Sequence, residues 1–186
     1  MRWQMAPAMI DGIRRHVLLG SVLLVLCWML LLFMRLLPVS GIASGWPGAD
    51  LGLCLLFAWV LRRPDQIPAL LLVLLVLCED VLLLRPLGLW TLFVRLGTEA
   101  ARQREVRWRD QPFVVEWLRV SILIGGMMLG FRVMQMLFLL PVPVLWQVTL
   151  QFIATVAAYP IVVLLARWLV GLRSVTPAEA EMMRHI

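Results

Sequence analysis

The chain has 186 residues, 62% of them hydrophobic and only 15% charged, with a mean hydropathy of +0.93. A soluble domain of this size has too little interior to hide that much apolar surface, so the composition excludes an ordinary water-soluble globule and points to the bilayer as solvent. The formal net charge of +6 comes from 17 arginines against 11 acids, with no lysine. These arginines are scattered between apolar runs, which reads as topology and contact with anionic lipid head groups, not as a nucleic-acid footprint.

A spanning helix needs about 20 apolar residues, which leaves room for roughly six spans and no separate soluble domain. The first apolar run is Val17 to Leu37, opened by Arg14, Arg15 and His16 and closed by Pro38. It is too long for a signal-peptide core and is expected to remain as the first span. Residues 38–50, rich in Gly, Pro and Ser, read as a loop. The second run, Leu51 to Leu61, ends at Arg62-Arg63-Pro64-Asp65. The third, Ile67 to Leu84, is interrupted by Glu79-Asp80 and ended by Arg85-Pro86. A fourth extends from Leu87 to about Ala101, followed by the one long polar stretch, 102–111. The fifth reaches from Phe113 to Leu140, Pro141 and Pro143 bracket a tight turn, and Val144 to Val170 forms the sixth. Several runs are shorter than a comfortable span, so they borrow flanking residues or lie in a thinned bilayer.

The expected fold is therefore all-α, a single polytopic helical bundle over residues 1–186. Arginine placement tests the count independently. With a cytoplasmic N-terminus, six spans put eleven arginines in cytoplasmic segments and only Arg85 outside, the other five lying within or at the ends of spans. That is the asymmetry the positive-inside rule demands, and it predicts that both termini are cytoplasmic. Trp28, Trp59, Trp90, Trp117, Trp146 and Trp168 occur in the runs, several near their ends, where interfacial anchoring is expected.

Few constellations carry chemistry. Cys27, Cys54 and Cys78 sit singly in different apolar runs, and His16 and His185 lie near opposite ends of the chain, so neither a disulfide framework nor a metal site is expected. The adjacent acids Glu79 and Asp80 are the most unusual feature. A carboxylate deep in lipid costs on the order of 2.5–3.5 kcal/mol on insertion scales, so such a pair faces a partner or water. Two readings stand: an ion, proton or protein-contact site, or a pair close enough to the outer end of its span to reach head-group water. Arg132, about 12 Å of helix before Pro141, and Arg35 fall in the same outer half. The expectation is a polar cluster in which Arg132 or Arg35 pairs with Asp80 or Glu79, its rival being independent snorkelling of each side chain.

Gly126 and Gly130 form a GxxxG spacing beside Gly125, which suits either a partner helix or packing within the bundle. Glu116 and Arg119 read as an ordinary helix-surface pair. Arg104, Arg107, Trp108 and Arg109 read as a lipid-facing cytoplasmic patch. With no Walker loop, GxSxG, HExxH or paired histidines, no catalytic activity and no cofactor is expected.

Between Asp50 and Gly88 a definite order of residues stands out. Ala49-Asp50 opens the second span, Trp59 falls near its end and Pro64 closes it. Asp80 follows sixteen residues later, and Leu87-Gly88 comes at a spacing of eight from Asp80. Tyr159-Pro160 lies in the last run, with a basic finish at Arg167 and Arg173. In these features the sequence resembles the rod shape-determining protein MreD family over nearly the whole chain. A departure is the third run, where Ile67-Pro68-Ala69 leads into Leu and Val instead of several glycines.

The resemblance implies a non-catalytic scaffold subunit of the cell-elongation complex in the bacterial inner membrane, binding MreC and supporting lateral peptidoglycan synthesis. Further partners would be MreB, a peptidoglycan polymerase–transpeptidase pair and membrane lipids, with no nucleic acid. It also implies a fold similar to the substrate-binding subunits of energy-coupling transporters, so a vitamin-binding subunit is the alternative. The residues it singles out are Asp80, Gly88 and Pro160, joined by Glu79, Arg132, Gly126 and Gly130 from the polar cluster and the GxxxG motif.

Overall fold

The computed structural model describes residues 6–37, 48–103 and 112–169. They form six α-helices and one 3-10 turn, with no strand among them: α1 (Ala6–Leu36), α2 (Leu51–Arg62), the turn (Pro64–Gln66), α3 (Ala69–Leu82), α4 (Leu89–Gln103), α5 (Phe113–Leu137) and α6 (Leu145–Leu169). The basic patch from Arg104 to Arg109 lies outside the described residues.

Among the described residues three stretches are long and apolar enough to cross a bilayer: Val17–Leu36, Phe113–Leu137 and Leu145–Trp168. The helices between them are shorter, with 12 residues in α2, 14 in α3 and 15 in α4. At 1.5 Å per residue these reach only about 18–22 Å, against a hydrocarbon core of about 30 Å.

Burial follows the apolar pattern inside out. Helix α2 is apolar all round, and every residue from Leu53 to Val60 is buried, the position such a helix must take. It packs against α6, α4 and α1. On α1, Leu24, Trp28 and Leu32, four apart, turn toward this core, while Leu19, Leu26 and Leu30 are more than half exposed. Ile122 and Leu129 on α5 and Ile153 and Ile161 on α6 are exposed in the same way. Polar side chains take the opposite course, with Asp50, Glu79, Asp80, Thr91, Gln135 and Thr155 all buried. An apolar exterior over a core holding carboxylates suits a lipid solvent and no other.

Two boundaries differ from the sequence reading for one shared reason. The third run ends as helix at Leu82 because Leu84 turns into the left-handed region (φ 52°) and the Arg85 N–H closes back on the Asp80 carbonyl at 2.9 Å. The fifth stops at Leu137 because Leu139 (φ 53°) does the same, with the Leu140 N–H on the Gln135 carbonyl at 2.9 Å. This is the hydrogen-bond closure of a helix C-terminus that glycine usually supplies. Pro68 sets the other boundary, capping α3 and leaving Ile67 outside it. The tryptophans also divide differently: Trp28, Trp59 and Trp90 are core residues, whereas Trp146 and Trp168 are exposed near the two ends of α6.

Candidate functional site

Helices α1, α3 and α5 end, and α2, α4 and α6 begin, at one end of the bundle, and there the buried charges collect. Arg35, in the last turn of α1, donates from Nη1 to Glu79 Oε1 at 2.9 Å and to Asp50 Oδ2 at 3.3 Å. Arg85, just past α3, reaches the same Glu79 oxygen at 3.4 Å. Asp50 caps α2, its Oδ1 accepting the Leu53 N–H at 3.1 Å, while its own N–H donates to Thr155 Oγ1 on α6 at 3.0 Å. Arg35 and its two acids thereby tie α1, α2 and α3, and Asp50 extends the tie to α6. Such pairs lose much of their Coulomb gain to desolvation, but removing one partner strands the others and is strongly destabilising.

Asp80, fully buried, does something different. Its Oδ2 accepts the Gly88 N–H at 3.2 Å, the Thr91 N–H at 3.3 Å and the Thr91 hydroxyl at 2.9 Å. A carboxylate one helix back thus serves as the cap of α4, where unpaired N–H groups and the helix dipole favour negative charge. Gly88 takes φ +79° to present its N–H, a conformation open to glycine at little cost. The Asp80–Gly88 spacing in the sequence is this contact. The second oxygen, Oδ1, is buried without a hydrogen-bond partner among the described residues.

The expected pairing is therefore found for Arg35 with Glu79 and not for Arg132. The Arg132 guanidinium donates to the Pro143 carbonyl, stitching the end of α5 to the turn before α6. It meets no carboxylate among the described residues because a pocket separates it from the acids. That cavity, about 180 Å³, is lined by Asp50, Arg85, Trp90, Arg132, Gln135 and Gln151 among others. Arg85 lies over the Trp90 ring at 5.3 Å, and Trp90 meets Phe131 edge-on at 5.2 Å between centroids.

The remaining residues singled out in the sequence sit elsewhere. Gly126 and Gly130 do not act as a pair inside the bundle: a Cβ at Gly130 would come within 2.5 Å of the Phe93 ring on α4, but one at Gly126 would meet nothing. Pro160 lies inside α6 and cannot bond the Val156 carbonyl one turn back. The Trp117 indole N–H of α5 takes that carbonyl at 2.9 Å. Glu116 reaches beyond its own helix, accepting from Arg62 at 3.1 Å and from the Tyr159 hydroxyl at 2.8 Å. With Gln66, which accepts the Trp59 indole N–H at 3.0 Å and whose carbonyl accepts the Ser21 hydroxyl at 2.6 Å, this makes a second polar layer at the Arg62 end of α2.

Sequence reasoning missed Asp50, Arg85, Thr91, Gln135 and Thr155 as members of the site. The available signal was their type, since Thr, Gln and Asp within apolar runs need internal partners. Among the described residues no group of three His, Cys, Asp or Glu side chains is arranged to hold a metal ion. No protein-family model, curated protein or solved structure matches the chain.

Proposed function

We propose that this chain is a non-catalytic membrane scaffold of the MreD type, crossing the inner membrane six times with both termini cytoplasmic. It would bind MreC and support lateral wall synthesis alongside MreB and a polymerase–transpeptidase pair. The observation that carries the reading is the use to which the acids are put. Asp50, Glu79 and Asp80 are spent on joining helices through Arg35, Arg85 and the start of α4, and the one carboxylate that lines the pocket, Asp50, is already paired with Arg35. The strict alternation of helix direction supports six crossings. The short α2, α3 and α4 are accommodated because α2 is shielded by its neighbours and both its polar ends are neutralised within the protein. Gly126, exposed on α5, offers a close approach to a helix outside the chain.

The pocket keeps a second reading in play, a substrate-binding subunit of a vitamin transporter. At about 180 Å³ it falls below the roughly 300–1,000 Å³ that enclose a drug-sized ligand, which favours the scaffold. The deciding experiment is recovery of the tagged chain from its own membrane in mild detergent, with its companions identified. MreC and wall-synthesis proteins are the expected companions. An ATPase pair or a bound vitamin in their place would overturn the scaffold reading and make the pocket a substrate site.

A further inference from the structure

We propose that the pocket between α4, α5 and α6 binds the phosphate of a membrane lipid head group, held chiefly by Arg132 and the Gln135 carboxamide. Gln135 is only 7% exposed, lines the cavity, and its carboxamide makes no hydrogen bond among the described residues. Its polar atoms are not sealed inside the protein but open onto the cavity, where they are free to pair with whatever occupies it. Its NH2 is a donor of the kind a phosphate oxygen accepts.

Arg132 supplies the charge. One N–H is used on the Pro143 carbonyl, and the rest of its five-donor fork is free of any carboxylate among the described residues, which suits a phosphate held at two oxygens. Gln151 stands in the α6 wall, and Arg85 contributes positive potential from the side of Trp90. Of the other charged lining residues, Asp50 is engaged by Arg35 and Arg85 by Glu79, so the wall's uncompensated charge is the positive one of Arg132.

Free phosphate and a lipid phosphate share this chemistry, and the surroundings favour the lipid. Met128, Phe131 and Val148 make the rest of the lining apolar. Beside the cavity, at the end of α5, Leu137, Phe138 and Leu139 are 69%, 62% and 94% exposed. A head group of modest size would fill the cavity while its acyl chains lie along that apolar exterior.

The test is native mass spectrometry of the full chain purified from its own membrane in mild detergent. One phospholipid per chain should survive delipidation. Arg132→Gln and Gln135→Leu should each lower the retained fraction about tenfold, the loss expected for one charge-assisted contact. Arg95→Gln, whose side chain pairs with Glu99 on the outside of α4, should retain lipid like the parent. Equal retention in the parent and both pocket variants overturns the proposal. So does protection from unfolding by inorganic phosphate with no lipid retained, which reassigns the site to the free ion. If Arg132→Gln fails to fold, Gln135→Leu decides alone, because it keeps the buried volume and removes only the amide. The measurement is made on the isolated chain, so its failure does not touch the scaffold reading, which is tested by what accompanies the chain.

Discussion

Asp80 shows how a single carboxylate can be accommodated in an apolar core without a cation against it. Its Oδ2 gathers three donors from the start of α4, and backbone N–H groups at a helix N-terminus substitute for an arginine. Asp80→Asn retains an acceptor in the same place and should fold. Asp80→Ala leaves the Gly88 and Thr91 donors unpaired and should cost about 1–3 kcal/mol, read as an earlier midpoint in detergent unfolding. Gly88→Ala isolates the backbone contribution, because a Cβ there meets open space while φ stays at +79°. The expected loss is about 1–2 kcal/mol of left-handed strain, and an unchanged midpoint would show that the turn relaxes.

At the scale of elements, the bundle repairs each break in its helices with a side chain from a neighbour. Pro160 frees the Val156 carbonyl, and the Trp117 indole on α5 takes it. Trp117→Phe should therefore destabilise by about 0.5–1.5 kcal/mol beyond the packing change, and the penalty should shrink in a Pro160→Ala background, where the carbonyl regains its helical partner. A double-mutant cycle with no coupling between the two sites would sink this account. The ionic cluster follows the same logic: Arg35→Met should be far more damaging alone than combined with Glu79→Gln, because the single change strands a buried acid.

Much of this arrangement was legible in the sequence. Asp80, Glu79 and Arg35 stand out because charge inside an apolar run demands a partner, and Gly88 was tied to Asp80 by the resemblance. The orphan carbonyl behind Pro160 was implicit in the proline, but which donor would reach it was not. Asp50 and Thr155 were illegible as a pair because they lie 105 positions apart and meet only once α2 is enclosed by α6. Arg132 was misassigned for a geometric reason: it shares the same end of the bundle with the acids, but it lies across the cavity from Asp50 and turns to the Pro143 carbonyl.

For the whole molecule, the two polar layers at either end of α2 enclose an apolar slab about 18 Å thick along that helix, thinner than the bilayer around it. The proposed six-span topology is directly testable with single cysteines in a background where Cys27, Cys54 and Cys78 are replaced. Leu84→Cys and Leu139→Cys, at the two most exposed turns of the Asp50 end, should react with an impermeant maleimide added to intact cells. Gln103→Cys, at the exposed end of α4, should react only after permeabilisation. Labelling of Leu84 and Gln103 from the same side would rule out α4 as a crossing segment.

The enclosure of α2 also has a consequence for how the chain is made. This helix is 12 residues long and bears Asp50 and Arg62 at its ends, so it offers the insertion machinery little to recognise by itself. Its most extensive neighbour, α6, is the last of the described helices to be synthesised. Roughly eighty residues separate them, and at about 5–20 residues per second several seconds of translation must elapse before Thr155 can meet Asp50. During that interval α2 has to be sheltered by its earlier-made neighbours, α1 and α4. A ribosome-stalled chain ending before α6 should accordingly remain sensitive to membrane proteases until α6 emerges.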